Sequence, residues 1–107
     1  MQYITRHSDV SSITLDSVLV DTPEINMKDF AGGSVSIPAG STITTLTYYG
    51  CHTQGGTHLV LLDSDGVAVT QTVAASRVID MPAAVFGLPY LKIVSNADGA
   101  VSICRKT

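Results

Sequence analysis

Apolar residues fall at alternate positions through much of this chain and almost nowhere at helical spacing. Ile13 and Leu15, Val35 and Ile37, Leu59 and Leu61, Val67 and Val69, Leu91 and Ile93, and Val101 and Ile103 are each two apart. No stretch of a dozen residues repeats apolar positions at i, i+3, i+4 and i+7, and β-branched residues crowd most segments. Side chains two apart share one face of a strand, so the pattern predicts short half-buried strands between Gly, Pro, Asp and Asn punctuation.

The first strand is expected over residues 12–20, with Ile13, Leu15 and Ser17 on one face, ended by Asp21-Thr22-Pro23. Residues 24–33 read as a connection with a short helical turn at 26–30, where Ile25 and Phe30 plug one end of the core. A strand at 34–37 runs into the turn Pro38-Ala39-Gly40, because Pro fixes φ and Gly accepts the left-handed region. Residues 41–49 form a Thr-rich strand whose apolar positions Ile43, Leu46 and Tyr48 change parity, which predicts a bulge or burial on both faces.

The strongest local signal is a pair of β-rich runs, 57–62 and 67–72, joined by Asp63-Ser64-Asp65-Gly66; it predicts a β-hairpin with Gly66 at positive φ. A short strand at 77–80 follows, and then a single helical turn or a packed loop at 81–87, with Pro82 where a helix can begin and Gly87 where one ends. The last strands, 90–95 and 100–105, are joined by Asn96-Ala97-Asp98-Gly99. Many short strands at even spacing make an all-β, single-domain β-sandwich of jelly-roll type with at most one helical turn. Residues 1–10 lack a settled period and read as an arm, leaving 11–107 as the sandwich.

A chain of 107 residues suits one core, since domains commonly run to about 100–150 residues. Apolar residues make up 45%, but charged residues only 14%, against roughly 25% in an average soluble domain. Ser and Thr take their place, which keeps the outer face wet and leaves it less protected from association. A net charge of −3 with six scattered Lys and Arg argues against nucleic acid, whose phosphates need clustered cations. Lys92, Arg105 and Lys106 are the nearest to a cluster and read as a solvated edge. No run approaches the roughly 20 apolar residues that span a bilayer, and the opening residues lack the apolar core of a secretory signal.

Candidate chemistry is sparse. Asp63, Asp65 and Gly66 resemble the opening of a calcium loop, but no further acidic position follows in register, so they read as a turn. His7, His52 and His58 fit no common ligand spacing, and Cys51 and Cys104 belong to no CxxC pair; two unpaired thiols are the default, with a bridge left open. No nucleophile elbow or phosphate-binding glycine motif occurs, and neither metal nor cofactor is expected. Tyr48, Tyr49, His52 and Gln54 lie in or beside a Gly-flanked loop and could form a sugar-binding platform, with rings stacking on the sugar and amide and imidazole taking its hydroxyls.

Residues 33–43 (GSVSIPAGSTI) and 88–99 (LPYLKIVSNADG) resemble stretches of small β-sandwich virion proteins of tailed phages. The resemblance implies a non-enzymatic decoration or cement protein, made in the host cytoplasm and placed on the virion surface. It further implies a homo-oligomer, commonly a trimer, bound to the major capsid protein. The segment 1–10 would then clamp a coat subunit, with Tyr3 and Ile4 inserting into a groove and Arg6 meeting an acidic rim. The alternative function is a carbohydrate-binding jelly-roll module using Tyr48, Tyr49, His52 and Gln54.

Overall fold

A computed structural model describes residues 8–28, 30 and 32–106. Among the described residues nine strands form: β1 (Ser8–Leu15), β2 (Ile25–Asn26), β3 (Gly32–Ile37), β4 (Thr45–Cys51), β5 (Leu59–Val60), β6 (Thr70–Thr72), β7 (Arg77–Asp80), β8 (Tyr90–Ser95) and β9 (Gly99–Lys106). Among the described residues two short 3₁₀ turns, Leu19–Asp21 and Ala83–Gly87, complete the regular structure; the second falls where a helical turn was expected, the first within the span expected as the first strand. No described helix is long and apolar enough to cross a membrane.

The strands make two antiparallel sheets, ordered β1-β9-β3-β7 and β2-β8-β4-β5, with β6 also pairing with β4. β5 pairs with Tyr49 and Gly50, and β6 with residues 45–47, so the two lie end to end along one edge of β4. Counted as one interrupted strand, they leave four strands in each sheet. Apart from β4 to β5, every connection crosses from one sheet to the other, and the order is that of a jelly roll, as the strand rhythm predicted.

The core follows from period-two alternation. Leu15, Val35, Ile37, Val101 and Ile103 point inward from one sheet, and Ile25, Leu46, Tyr48, Leu91 and Ile93 from the other. Met27, Ile43, Val73, Met81 and Val85 close the ends. Each fully buried aliphatic side chain contributes about 1.5–3 kcal/mol relative to exposure.

Several boundaries differ from the sequence reading. β1 begins at Ser8, so residues 8–10 of the expected arm pair with β9, and it ends at Leu15. Beyond Leu15 the chain turns, because the Asp16 Oδ1 caps the Val18 N–H at 2.9 Å and the Asp16 carbonyl accepts from the Ser95 N–H at 3.2 Å. Around residues 26–30 there is a two-residue strand and a turn closed by the Phe30 N–H on the Met27 carbonyl at 3.2 Å, in place of the expected helical turn. β4 starts at Thr45, so Ile43 belongs to the connection and Leu46 and Tyr48 keep one parity without a bulge.

The residues expected as one basic edge separate. Lys92 lies on β8, where its Nζ approaches the Leu19 carbonyl at 3.5 Å. Arg105 lies on β9, half-buried over the Phe30 ring at 4.5 Å, and donates to the Asn26 carbonyl. Phe30 and Ile25 do pack at one margin of the core, as expected.

Candidate functional site

The expected hairpin is real only at its tip. Runs 57–62 and 67–72 each find their main partner in β4, and what pairs with itself is a finger spanning residues 61–69. Leu62 bridges Ala68, the Val69 N–H donates to the Leu61 carbonyl at 2.8 Å, and the Asp63 N–H donates to the Val67 carbonyl at 2.8 Å. At the bend, Asp63 Oδ1 accepts from the N–H groups of Asp65 (2.9 Å) and Val67 (3.0 Å), and Gly66 takes φ +80°. That carboxylate oxygen serves the turn, which is what the Asp-Ser-Asp-Gly run encodes.

The finger is anchored to β4 at its base, where the Leu61 N–H donates to the Tyr48 carbonyl (2.9 Å) and the Tyr48 N–H to the Val69 carbonyl (3.2 Å). Leu61 and Val69 pack against the core. Their neighbours point out: Leu59 is 69% exposed, Leu62 50% and Val67 60%. Edge strands that carry large apolar side chains into water are uncommon without a partner, because they offer both apolar surface and open backbone groups.

A second concentration of polar groups lies in the loop between β4 and β5. His58 is buried; its Nε2 lies 3.3 Å from Glu24 Oε2 and its Nδ1 3.1 Å from the Gly56 carbonyl. The same Glu24 oxygen accepts from the Gly55 N–H at 3.0 Å. One carboxylate thus ties the segment before β2 to the loop after β4. A Cβ on Gly56 would fall 2.4 Å from the Thr53 Oγ1 and 2.6 Å from the Cys51 Sγ, so the loop closes over those two side chains only because residue 56 has none.

Cys51 lies at the mouth of a shallow depression of about 320 Å³, bordered also by His52, Thr53, Leu59 and Leu88. The Thr53 hydroxyl, 3.5 Å from Sγ, and then the Thr53 N–H at 3.4 Å favour the thiolate and lower the Cys51 pKa. Cys104 is on β9 in the opposite sheet, and both cysteines are free thiols. Among the described residues no three His, Cys, Asp or Glu side chains converge as a metal-ligand set.

The proposed sugar platform does not assemble as drawn from the sequence. Tyr48 is completely buried and its hydroxyl bonds to Gln71 Oε1, so its ring is part of the core and cannot stack on a ligand. Tyr49 points to the other face of β4, and His52 and Gln54 are exposed on the loop. Tyr3, Ile4, Arg6 and His7 lie outside the described residues. Sequence reasoning missed the Glu24–His58 pair; the sequence offers only a lone His at the head of the apolar run 59–62 and nothing that points to Glu24.

Fold and surface define a jelly-roll domain with an apolar edge finger. No known protein family and no curated protein matches the sequence. Among solved structures, the chain is similar to the SPBc2 prophage-derived protein YomS, with a TM-score of 0.54 and 16% identity over 99% of this chain and 100% of that one.

Proposed function

We propose that this chain is a structural protein of a tailed-phage particle, a non-enzymatic jelly roll that decorates the virion surface as a homotrimer bound to the major capsid protein. The observation that carries the reading is the coextensive likeness to a prophage-derived protein, whose whole length is matched by this one domain. A jelly roll with little charge and an apolar edge suits repeated packing on a lattice. Fold alone does not assign function, so the composition and the exposed edge matter to the argument.

In this reading residues 1–7 supply a further contact, with Tyr3 and Ile4 entering a coat-protein groove and Arg6 facing its acidic rim. Symmetry would multiply a weak single contact into firm attachment through high effective concentration. Mass spectrometry of purified particles from the source tests the assignment: the chain is expected in stoichiometric proportion to coat protein. Its absence from intact particles would overturn the reading.

A further inference from the structure

The loop between β4 and β5 is closed by a contact that depends on a proton, and we infer that His58 and Glu24 form a pH-sensitive latch. The imidazolium of His58 holds residues 52–58 closed, and loss of its second proton lets them open. The device does not depend on the virion assignment.

Both ring nitrogens of His58 face oxygen. Nδ1 lies 3.1 Å from the Gly56 carbonyl, and Nε2 lies 3.3 Å from Glu24 Oε2, near enough for an ion pair although not aligned as a hydrogen bond. The His58 side chain is only 2% exposed, so bulk water does not stand in for either oxygen. A neutral imidazole carries one N–H. With the proton on Nδ1, the lone pair of Nε2 faces an anionic oxygen; with it on Nε2, the lone pair of Nδ1 faces a carbonyl oxygen. Either neutral tautomer sets two acceptors against each other in a buried place. Only the imidazolium meets both oxygens with N–H groups and brings a counter-charge to Glu24.

Closure is thereby linked to proton uptake: a closed loop that prefers the imidazolium is favoured as pH falls, and that contribution is lost as pH rises. Glu24 accepts from the Gly55 N–H at 3.0 Å whatever the state of the imidazole, so the proton controls the His58 arm of the latch. Release frees a loop whose His52, Thr53 and Thr57 wall the depression of about 320 Å³ beside Cys51. Gly56, whose carbonyl faces His58, lies against the Cys51 Sγ, so the same movement bares the thiol.

The other ionisable groups about the latch are Cys51 and Tyr49 on the outer face of β4, Tyr90 and Lys92 on the matching face of β8, and His52 on the loop itself. The Lys92 Nζ is turned to the Leu19 carbonyl at 3.5 Å. Cys and His are the types that change charge between about pH 5 and 8, so Cys51 and His52 are each replaced as a control.

The test uses the full chain in solution, read by NMR between about pH 5 and 8. The ring nitrogen shifts of His58 are expected to show both nitrogens protonated at the acid end and one at the alkaline end. Exchange protection of the Gly55 amide, taken relative to the Val101 and Ile103 amides of β9, should change over the same range. That ratio is expected to fall by at least about tenfold as His58 loses its proton, the scale of a charge-assisted hydrogen bond. His58→Gln and Glu24→Gln should each flatten this pH dependence, whereas Cys51→Ser and His52→Gln should leave it as it is.

A His58 ring with the same number of protons at both ends of the range overturns the inference. So does Gly55 protection that follows β9 at every pH, or a pH dependence that survives in Glu24→Gln. If His58→Gln folds poorly, the ring signals of wild type and the Glu24→Gln titration still decide. A pH dependence abolished by Cys51→Ser or His52→Gln assigns the switch to that group and overturns the role of His58.

Discussion

The side-chain carbonyl of Asn96 accepts hydrogen bonds from the backbone N–H of Thr44 at 2.8 Å and of Thr45 at 3.0 Å. Its amide also donates to the Thr44 hydroxyl at 2.9 Å, and its own N–H donates to the Thr45 carbonyl at 3.3 Å. The turn that carries the chain from β8 to β9 is thereby riveted to the start of β4. Asn96→Ala is expected to destabilise the domain by about 1–2 kcal/mol, since these bonds are solvent-accessible at the rim. That corresponds to about 4–8 °C in melting temperature per kcal/mol for a domain near this size. Asn96→Asp keeps the acceptor and should lose less; equal melting curves for Asn96→Ala and wild type would refute the role.

The Tyr48 hydroxyl bonds to Gln71 Oε1, and Gln71 Nε2 donates onward to the Asp80 carbonyl at 2.8 Å, joining β4 and β6 in one sheet to β7 in the other. Burial of the phenol raises its pKa well above the usual value of 10.0. The neutral form is therefore favoured in the folded state, so this contribution to stability is complete below pH 10 and is lost as the solution becomes more alkaline. Alkaline titration should show part of the phenolate absorbance appearing only together with unfolding. Tyr48→Phe should remove that part and cost about 1 kcal/mol. Complete ionisation of the phenols in a still-folded wild type would contradict the burial argument.

Glu24 holds the loop after β4 through the Gly55 N–H and His58. Glu24→Ala removes the acceptor of the Gly55 N–H and the carboxylate that lies 3.3 Å from His58 Nε2, for a cost of about 1 kcal/mol. Amide exchange should accelerate at Gly55 while the strands of the opposite sheet stay protected. Glu24→Gln retains an acceptor and is expected to preserve most of the protection. Unchanged exchange in Glu24→Ala would show that the loop is held by other contacts.

What was legible in the sequence is what local pattern controls. β3, β7, β8 and β9 fall within two residues of the expected bounds, because each is a short β-rich run with Pro, Gly or Asn at or near an end. β1 was misplaced because an edge strand buries one face only, and Ser8, Ser11 and Ser12 gave no apolar signal; its position is set by pairing with β9 at the far end of the chain. The finger has the same cause, since the runs on either side of Asp63 looked like partners while β4 offered both a longer register. Tyr48 and Tyr49 are adjacent in sequence, but the parity of Leu46 assigns one to the core and the other to the outer face; Ile43, outside the strand, obscures that parity. Glu24 and His58 are far apart in sequence, and no local rule pairs them.

The two cysteines provide a chemical distinction that a folded sample can report. Cys51 and Cys104 sit in opposite sheets as free thiols, so replacing both with Ser should leave a folded domain, and reductant should not lower the melting temperature. Their reactivities should differ. The Thr53 hydroxyl, and after it the Thr53 N–H, stabilise a thiolate at Cys51, so the reactive form appears at lower pH than for an ordinary thiol. The Cys51 side chain also opens on the depression beside His52, where a small alkylating reagent can reach it. Mass-resolved alkylation of native protein as pH is raised should therefore modify Cys51 first. Thr53→Val removes the hydroxyl but keeps the N–H, and should move the onset of Cys51 labelling toward higher pH with the fold unchanged. If Cys104 is modified first, or if Thr53→Val leaves the labelling profile where it was, the hydrogen bonds to Sγ do not govern this thiol.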